Sequence, residues 1–151
     1  MVEIRLGNIH DADLIAEMVA RLLSELVGTP IEKENYLNVT LDLLDTTNLY
    51  NVFLAFDNTN KCIGILSATE SCSIYAEGRF GIIQELYVLP EYRSSTVGHR
   101  LISAVIDFGK TSNWKRLEVG APDATKWNRT VSFYCREGFK EIGPRLSLKL
   151  L

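Results

Sequence analysis

Residues 2–6, VEIRL, alternate apolar and polar side chains, the period-two pattern of a short strand. Residues 8–13 then supply turn and cap chemistry, with Asp11 the expected N-cap of a helix. From Leu14 the apolar residues Leu14, Ile15, Met18, Val19, Leu22, Leu23 and Leu26 recur at spacings of three and four. That predicts an amphipathic helix, stopped by Gly28-Thr29-Pro30. A weaker helical pattern over residues 31–44 runs through Leu37, Leu41 and Leu44 and ends before the turn-like Asp45-Thr46-Thr47-Asn48. Residues 50–56 (YNVFLAF) and 61–69 (KCIGILSAT) are β-rich runs joined by a polar turn at 57–60, which predicts a hairpin. After a polar stretch at 70–79, residues 80–89 (FGIIQELYVL) are almost continuously apolar, as a strand in the middle of a sheet should be, and Pro90 ends them. Helical spacing returns over 97–110. A strand at 116–119, a helix near 128–137 capped by Gly138, and a closing strand pair around 139–142 and 146–150 complete the pattern. The order β-α-α-β-β-β-α-β-α-β(-β) is a mixed α/β arrangement without internal repeat or linker, so a single domain over residues 1–151 is expected.

Composition narrows the function classes. With 46% hydrophobic and 23% charged residues, 151 residues can bury one core. Charged side chains interrupt the first thirty residues, and no run could serve as a signal peptide or bilayer span, which makes a soluble cytoplasmic protein without membrane partners the expectation. A net charge of −3, evenly spread, lacks the basic patch of a nucleic-acid binder. Cys62, Cys72 and Cys135 form no C-x-x-C pair, which argues against a disulfide framework and against a four-ligand zinc site.

The chemistry gathers where the buried strand ending in Leu86-Tyr87-Val88-Leu89-Pro90 runs through the turn YRSSTVG into a helix. A helix N-terminus offers unpaired N–H groups and a partial positive charge, so such a turn is a natural anion cradle. Gly98 alone is a weak signal, because a glycine there can equally serve close helix packing.

Two segments together carry a family resemblance. LYVLPEYRSSTVGHRLI resembles motif A of the GCN5-related N-acetyltransferases (GNAT): an apolar strand, Arg or Gln, two variable residues, Gly, any residue, and Gly or Ala. It aligns as Arg93, Ser94, Ser95, Thr96, Val97 and Gly98. WNRTVSFYCREGF resembles motif B through Phe133, Tyr134, Gly138 and Phe139. The resemblance covers essentially the whole chain and implies a central, mostly antiparallel twisted sheet flanked by helices. It also implies transfer of an acetyl group from acetyl-CoA to an amine by direct attack in a ternary complex, with no metal. In that reading the backbone of Leu86, Tyr87 and Val88 pairs with the pantetheine arm, and the turn from Arg93 through Ser94, Ser95, Thr96 and Val97 to Gly98 binds the pyrophosphate. Tyr134 aligns with the tyrosine that protonates the departing thiolate. His99, next in the helix, is either a phosphate contact or a solvent-facing side chain. Glu85 is the leading candidate for the general base and Glu118 the second, each with an edge-of-site carboxylate as the alternative. The family often pairs as homodimers.

The pattern breaks at Thr96, which stands where the motif usually has glycine. A β-branched residue resists positive φ, so the turn must use negative φ there or distort. With negative φ, the hydroxyl could cap the helix or donate to a phosphate. The resemblance implies an acceptor amine on a small molecule, peptide or protein, met by a pocket built from the first two helices and residues 72–79 and 121–127. Glu32 and Glu34 there are either an attraction for a cationic amine or a solvated helix face. The competing reading is a non-catalytic acyl-CoA-binding relative acting as a sensor or interaction module.

Overall fold

A computed structural model describes residues 1–46, 49–123 and 125–151. The elements are β1 (Glu3–Leu6), α1 (Ala12–Val27), α2 (Glu34–Thr46), β2 (Tyr50–Phe56), β3 (Cys62–Ser73), β4 (Gly78–Val88), α3 (Val97–Thr111), β5 (Leu117–Val119) and α4 (Asn128–Arg136). Single 3₁₀ turns at Ile9–Asp11 and Pro90–Tyr92 lead into α1 and out of β4. The strands lie in the order β1-β2-β3-β4-β5, antiparallel except for the parallel pair β4 and β5 that α3 connects.

Local signals account for most of these boundaries. Gly28, at φ 80°, closes α1 in the left-handed conformation that glycine takes without strain. The β2–β3 turn is held by the Asp57 carboxylate, which accepts from the Thr59 amide (2.9 Å), the Thr59 hydroxyl (2.7 Å) and the Lys61 amide (3.0 Å). α3 buries Val97, Leu101, Ile102 and Val105 at helical spacing.

Neighbouring residues of β2 show which helix covers which face. Phe53 meets Phe108 of α3 edge to face at 5.6 Å. Leu54 points the other way, to where Ile15 of α1 packs beside Gly7. The sheet is therefore sandwiched, with α1 on one face and α3 on the other, and Leu54, Ile63, Ile65 and Leu66 have no exposed surface. Trp114 locks the end of this sandwich. Its ring occupies the space where a Cβ would stand at Gly81 (2.2 Å) and at Gly109 (2.7 Å), and its Nε1 donates to Glu70 at 2.8 Å.

Three expectations need correction. The closing strands at 139–142 and 146–150 do not form: among the described residues no strand follows Val119. Asp11 takes the N-cap position of α1 without a side-chain cap bond. Its carboxylate instead accepts from the Asn8 amide and pairs with both terminal nitrogens of Arg5 at 2.9 Å, which holds the Asp11 carboxyl below its usual range. β3 continues through polar residues to Ser73, because its partner β4 already starts at Gly78 and the two pair from Gly64 and Val88 to Ser73 and Gly78. Of the turn expected at residues 45–48, Thr47 and Asn48 lie outside the described residues.

Candidate active site

β4 changes character halfway. Gly81, Ile82 and Ile83 pair with β5, and past Ile83 that pairing stops while β3 stays paired as far as Val88. The departure coincides with a bulge: Ser67 faces Glu85 and Ala68 faces Ile83, so Gln84 is the extra residue. A regular strand would put Ile83 and Glu85 on one face; the bulge puts them on opposite faces. Glu85 and Tyr87 thus face α1, and Leu86 faces α3. The edge of residues 84–88 away from β3 carries backbone groups without a strand partner among the described residues.

The turn that follows is strained at an unexpected residue. Thr96 sits at φ −88°, ψ 2°, which any residue tolerates, whereas Ser94 has φ 62°. Ser95 Oγ donates back to the Tyr92 carbonyl, and Thr96 makes no side-chain cap bond. Gly98 lies in the first turn of α3, where a Cβ would come 3.1 Å from the Phe133 ring. Its missing side chain is therefore explained by the approach of α4.

Arg93 turns toward α1. Its two terminal nitrogens each bind a Glu25 carboxylate oxygen at 2.7 Å, its Nε donates to the Val88 carbonyl at 2.8 Å, and its guanidinium lies 5.3 Å from the Tyr87 ring centre. The bidentate pair holds the Glu25 carboxyl below its usual range.

A cavity of about 480 Å³ opens between β4, the turn and α4. Its lining includes Leu86, Tyr87, Val88, Arg93, Ser94, Ser95, Gly98 and Tyr134. Thr96, Val97, His99 and Glu85 are not among the lining residues. Val97 is buried against the sheet, and His99 Nδ1 is 2.8 Å from Glu137 on an exposed surface. Tyr134 is 7% exposed, between Phe133 (5.5 Å) and Phe139 (5.6 Å). No group among the described residues hydrogen-bonds its hydroxyl, and burial pushes its pKa up to about 12.

Glu85 sits in a small polar network on the α1 face. The Tyr50 and Ser67 hydroxyls both donate to its Oε1, and Ser67 Oγ accepts from the Glu85 amide at 3.1 Å. Burial, followed by the Glu85 charge, pushes the Tyr50 hydroxyl well above its ordinary pKa. Glu118 lies apart from this network, bound to the Tyr75 hydroxyl at 2.7 Å and Arg116 at 2.9 Å.

A second cavity of about 620 Å³ lies along α1 and the start of α2, with Glu17, Glu25, Glu32, Glu34 and Glu91 outnumbering Arg21 and Lys33 in its wall. Tyr87 and Glu25 line both cavities.

Sequence reasoning missed four contributors. Arg129, whose Nη2 is 3.1 Å from Ser94 Oγ, and Arg136 bring positive charge to the first cavity from α4. Their positions beside Tyr134 on a short helix could have flagged them. Tyr50 and Glu25 reach the site from far along the chain, and no local pattern marks either.

The family model for the acetyltransferase (GNAT) domain matches residues 48–141, and the chain belongs to the GNAT acetyltransferase family. Acyl transfer from acetyl-CoA is the family's general chemistry. Among solved structures, a possible acetyltransferase from Clostridium difficile 630 superposes with a TM-score of 0.82 at 18% identity, covering 100% of this chain and 99% of that one. A transcriptional regulator from Bacillus halodurans C-125 gives 0.83 at 16%, covering 99% and 100%. An aminoglycoside acetyltransferase, meta-AAC0020, from an uncultured soil metagenomic sample in complex with sisomicin, gives 0.77 at 19%, covering 99% and 97%. At these identities the superpositions show a shared fold alone. Comparison with curated protein sequences gives no match. Among the described residues, no helix is long and apolar enough to cross a membrane and no group of His, Cys, Asp or Glu is arranged to hold a metal ion.

Proposed function

We propose that this protein is an acetyl-CoA-dependent N-acetyltransferase acting on a cationic amine of a small molecule or peptide by direct attack in a ternary complex. The observation that carries the reading is the first cavity, where an open strand edge, a helix N-terminus and a buried, unengaged tyrosine hydroxyl meet.

The residues present fit acetyl-CoA. The unpaired edge at Leu86, Tyr87 and Val88 offers strand-like hydrogen bonds to the pantetheine amides. The first N–H groups of α3 with Ser94 and Ser95, supported by Arg129 and Arg136, suit the pyrophosphate. Thr96 presents its amide at negative φ as a glycine would; Val97 and Gly98 serve by packing and by their amides, and His99 stays on the rim with Glu137. Arg93 orders the turn by clamping the Val88 carbonyl and Glu25.

Acetyl-CoA supplies an activated acyl group with a thiolate leaving group. The protein's task is alignment and proton movement. Backbone N–H groups of the open edge polarise the thioester carbonyl as the amine nitrogen bonds to its carbon and the C–S bond breaks. Tyr134 gives its proton to the departing sulfur, and with a pKa near 12 it is fully loaded at neutral pH. Glu85 takes the amine proton through water; it faces the side of the sheet that α1 covers, where the acidic cavity lies. That cavity, with Glu32 and Glu34, favours a positively charged acceptor that must shed a proton before attack.

The test is a thermal shift followed by turnover. Acetyl-CoA raises the melting temperature, and coenzyme A is released only with an amine present, drawn from polyamines, aminoglycosides, amino acids and peptide N-termini. An absent shift overturns the cofactor assignment. A shift without turnover on any amine replaces the enzyme by a non-catalytic acyl-CoA-binding module.

A further inference from the structure

The turn between β4 and α3 does without the motif glycine, and its conformational demand falls on Ser94, at φ 62°. A serine stays in that left-handed region only where its surroundings hold it there. The turn has little core of its own to do so, because Arg93, Ser94, Ser95 and Thr96 are all exposed. Its shape therefore depends on ties to other elements. Arg93 reaches Glu25 of α1 and Ser94 meets Arg129 of α4, both through exposed side chains. A better-seated tie runs through Tyr92, which closes the 3₁₀ turn and packs half-buried on the apolar cluster. Its amide donates to the Leu89 carbonyl at 2.9 Å, and its own carbonyl accepts from the Ser95 hydroxyl, so the backbone on both sides is fixed to it. Its hydroxyl donates to Asp57 Oδ2 at 2.8 Å.

Asp57 is built to serve as a fixed point. Its Oδ1 is taken up by the Thr59 amide, the Thr59 hydroxyl and the Lys61 amide. The backbone of the same turn closes with two further bonds, from the Asp57 amide to the Lys61 carbonyl and from the Asn60 amide to the Asp57 carbonyl, each at 3.0 Å. Oδ2 is left for Tyr92. The Thr59 hydroxyl first, then the Lys61 amide and the Tyr92 hydroxyl, hold the Asp57 carboxyl far below its usual range, so Tyr92 donates to a charged acceptor. Tyr92 lines the first cavity, and Asp57 lines neither. The carboxylate thus touches the site only through the phenol.

We propose that Asp57 is a positioning residue for acetyl-CoA: acting through Tyr92, it locks the turn of residues 93–96 in its binding shape before the cofactor arrives. The proposal rests on the reading of the first cavity as the acetyl-CoA site. A turn already ordered in the free chain spares the complex the cost of ordering it, so the tie acts on affinity and leaves the chemical step alone. The β2–β3 hairpin, which belongs to neither motif, thereby becomes part of the cofactor site. Its turn supplies by hydrogen bonding the fixity that a chain without the motif glycine must find elsewhere.

The test compares wild type with Tyr92→Phe, Asp57→Ala and the double variant. In the free chain, the amides of residues 93–96 show order parameters near the ~0.85 of rigid backbone by ¹⁵N relaxation, and these fall toward ~0.6 in Tyr92→Phe. By titration calorimetry, Tyr92→Phe and Asp57→Ala each weaken acetyl-CoA binding about tenfold, 1.4 kcal/mol. The double variant binds no more weakly than the weaker single one, because both substitutions remove one interaction. In turnover the loss appears as a higher KM for acetyl-CoA, with kcat within about twofold of wild type. Gly81→Ala, which lowers stability at the far end of β4, leaves the affinity nearly unchanged, so a merely structural loss reads differently. If Asp57→Ala does not fold, Tyr92→Phe decides alone, since it keeps every bond of the β2–β3 turn. Unchanged affinity in Tyr92→Phe, a hundredfold loss in the double variant, or a turn already mobile in free wild type overturns the proposal while the cofactor reading stands. Wild type that binds no acetyl-CoA overturns both, and shows itself first as the absent thermal shift.

Discussion

The two halves of β4 are one continuous strand put to different uses. Over Gly81–Ile83 it has β3 on one side and β5 on the other, with the Trp114 ring pressed against Gly81. Over residues 84–88 its one strand partner among the described residues is β3, and the edge that β5 vacates forms a wall of the cavity. The inserted residue Gln84 marks the boundary and reverses the faces beyond it. The lesson is that a sheet can hold a site on the strand that holds its core, provided pairing is completed on one stretch and withheld on the next.

That contrast makes opposite demands on substitutions in the two halves. Around the open half, damage should fall on rate. Tyr134→Phe lowers kcat about 100-fold, roughly 2.7 kcal/mol of barrier, as loss of a general acid does. Steady-state assays and a denaturant melt of the same preparation measure both sides, and a fall in stability that matched the fall in rate would erase the distinction. The same variant isolates the pH response. Tyr134 has a raised pKa in the fold, so the stability it gives is fully present below the unfolded value of about 10 and is lost as pH rises toward about 12. Wild-type protein therefore loses stability across that window more steeply than Tyr134→Phe.

In the paired half the expected loss is stability. Gly81→Ala forces a methyl to 2.2 Å from Trp114. Overpacking of this kind costs about 1–3 kcal/mol and lowers the melting temperature by several degrees in a chain of this size. Acetyl-CoA affinity of the folded fraction should stay within about threefold of wild type by titration calorimetry. The smallest effect belongs to the turn. With Thr96 already at φ −88°, Thr96→Gly changes acetyl-CoA affinity by less than about tenfold, 1.4 kcal/mol, in the same titration. A larger gain would mean that the threonine side chain crowds the phosphates.

Legibility in the sequence follows the range of the forces involved. The amphipathic spacing of α1 and α3, the stop at Gly28 and the 57–60 turn are set within a few residues, and the structure reproduces them. The strand, turn and helix around residues 86–98 were readable for the same reason, and the motif spacing drew attention to Tyr134 on α4. The polar end of β3 was not, because Glu70 to Ser73 are strand only through pairing with Gly78 to Gly81. Residues 139–142 and 146–150 have strand-like alternation but no strand partner among the described residues, so pattern alone misassigns them. The motif places the Arg93 amide in the turn expected to meet the pyrophosphate, but no local signal marks the tie of its side chain to Glu25, which spans 68 residues and depends on how α1 lies against β4. Tyr50 reaches Glu85 across 35 residues in the same way.

The indole of Trp114 also constrains how the sequence can drift. Positions 81 and 109 have no bond to each other and lie on different elements, yet one ring fills the methyl space of both. A side chain at either position costs packing while the tryptophan stays, and a smaller residue at 114 would open a void beside both while giving up the hydrogen bond to Glu70. A lineage that enlarges residue 81 therefore regains packing by shrinking residue 114, and the three positions are expected to change as a set.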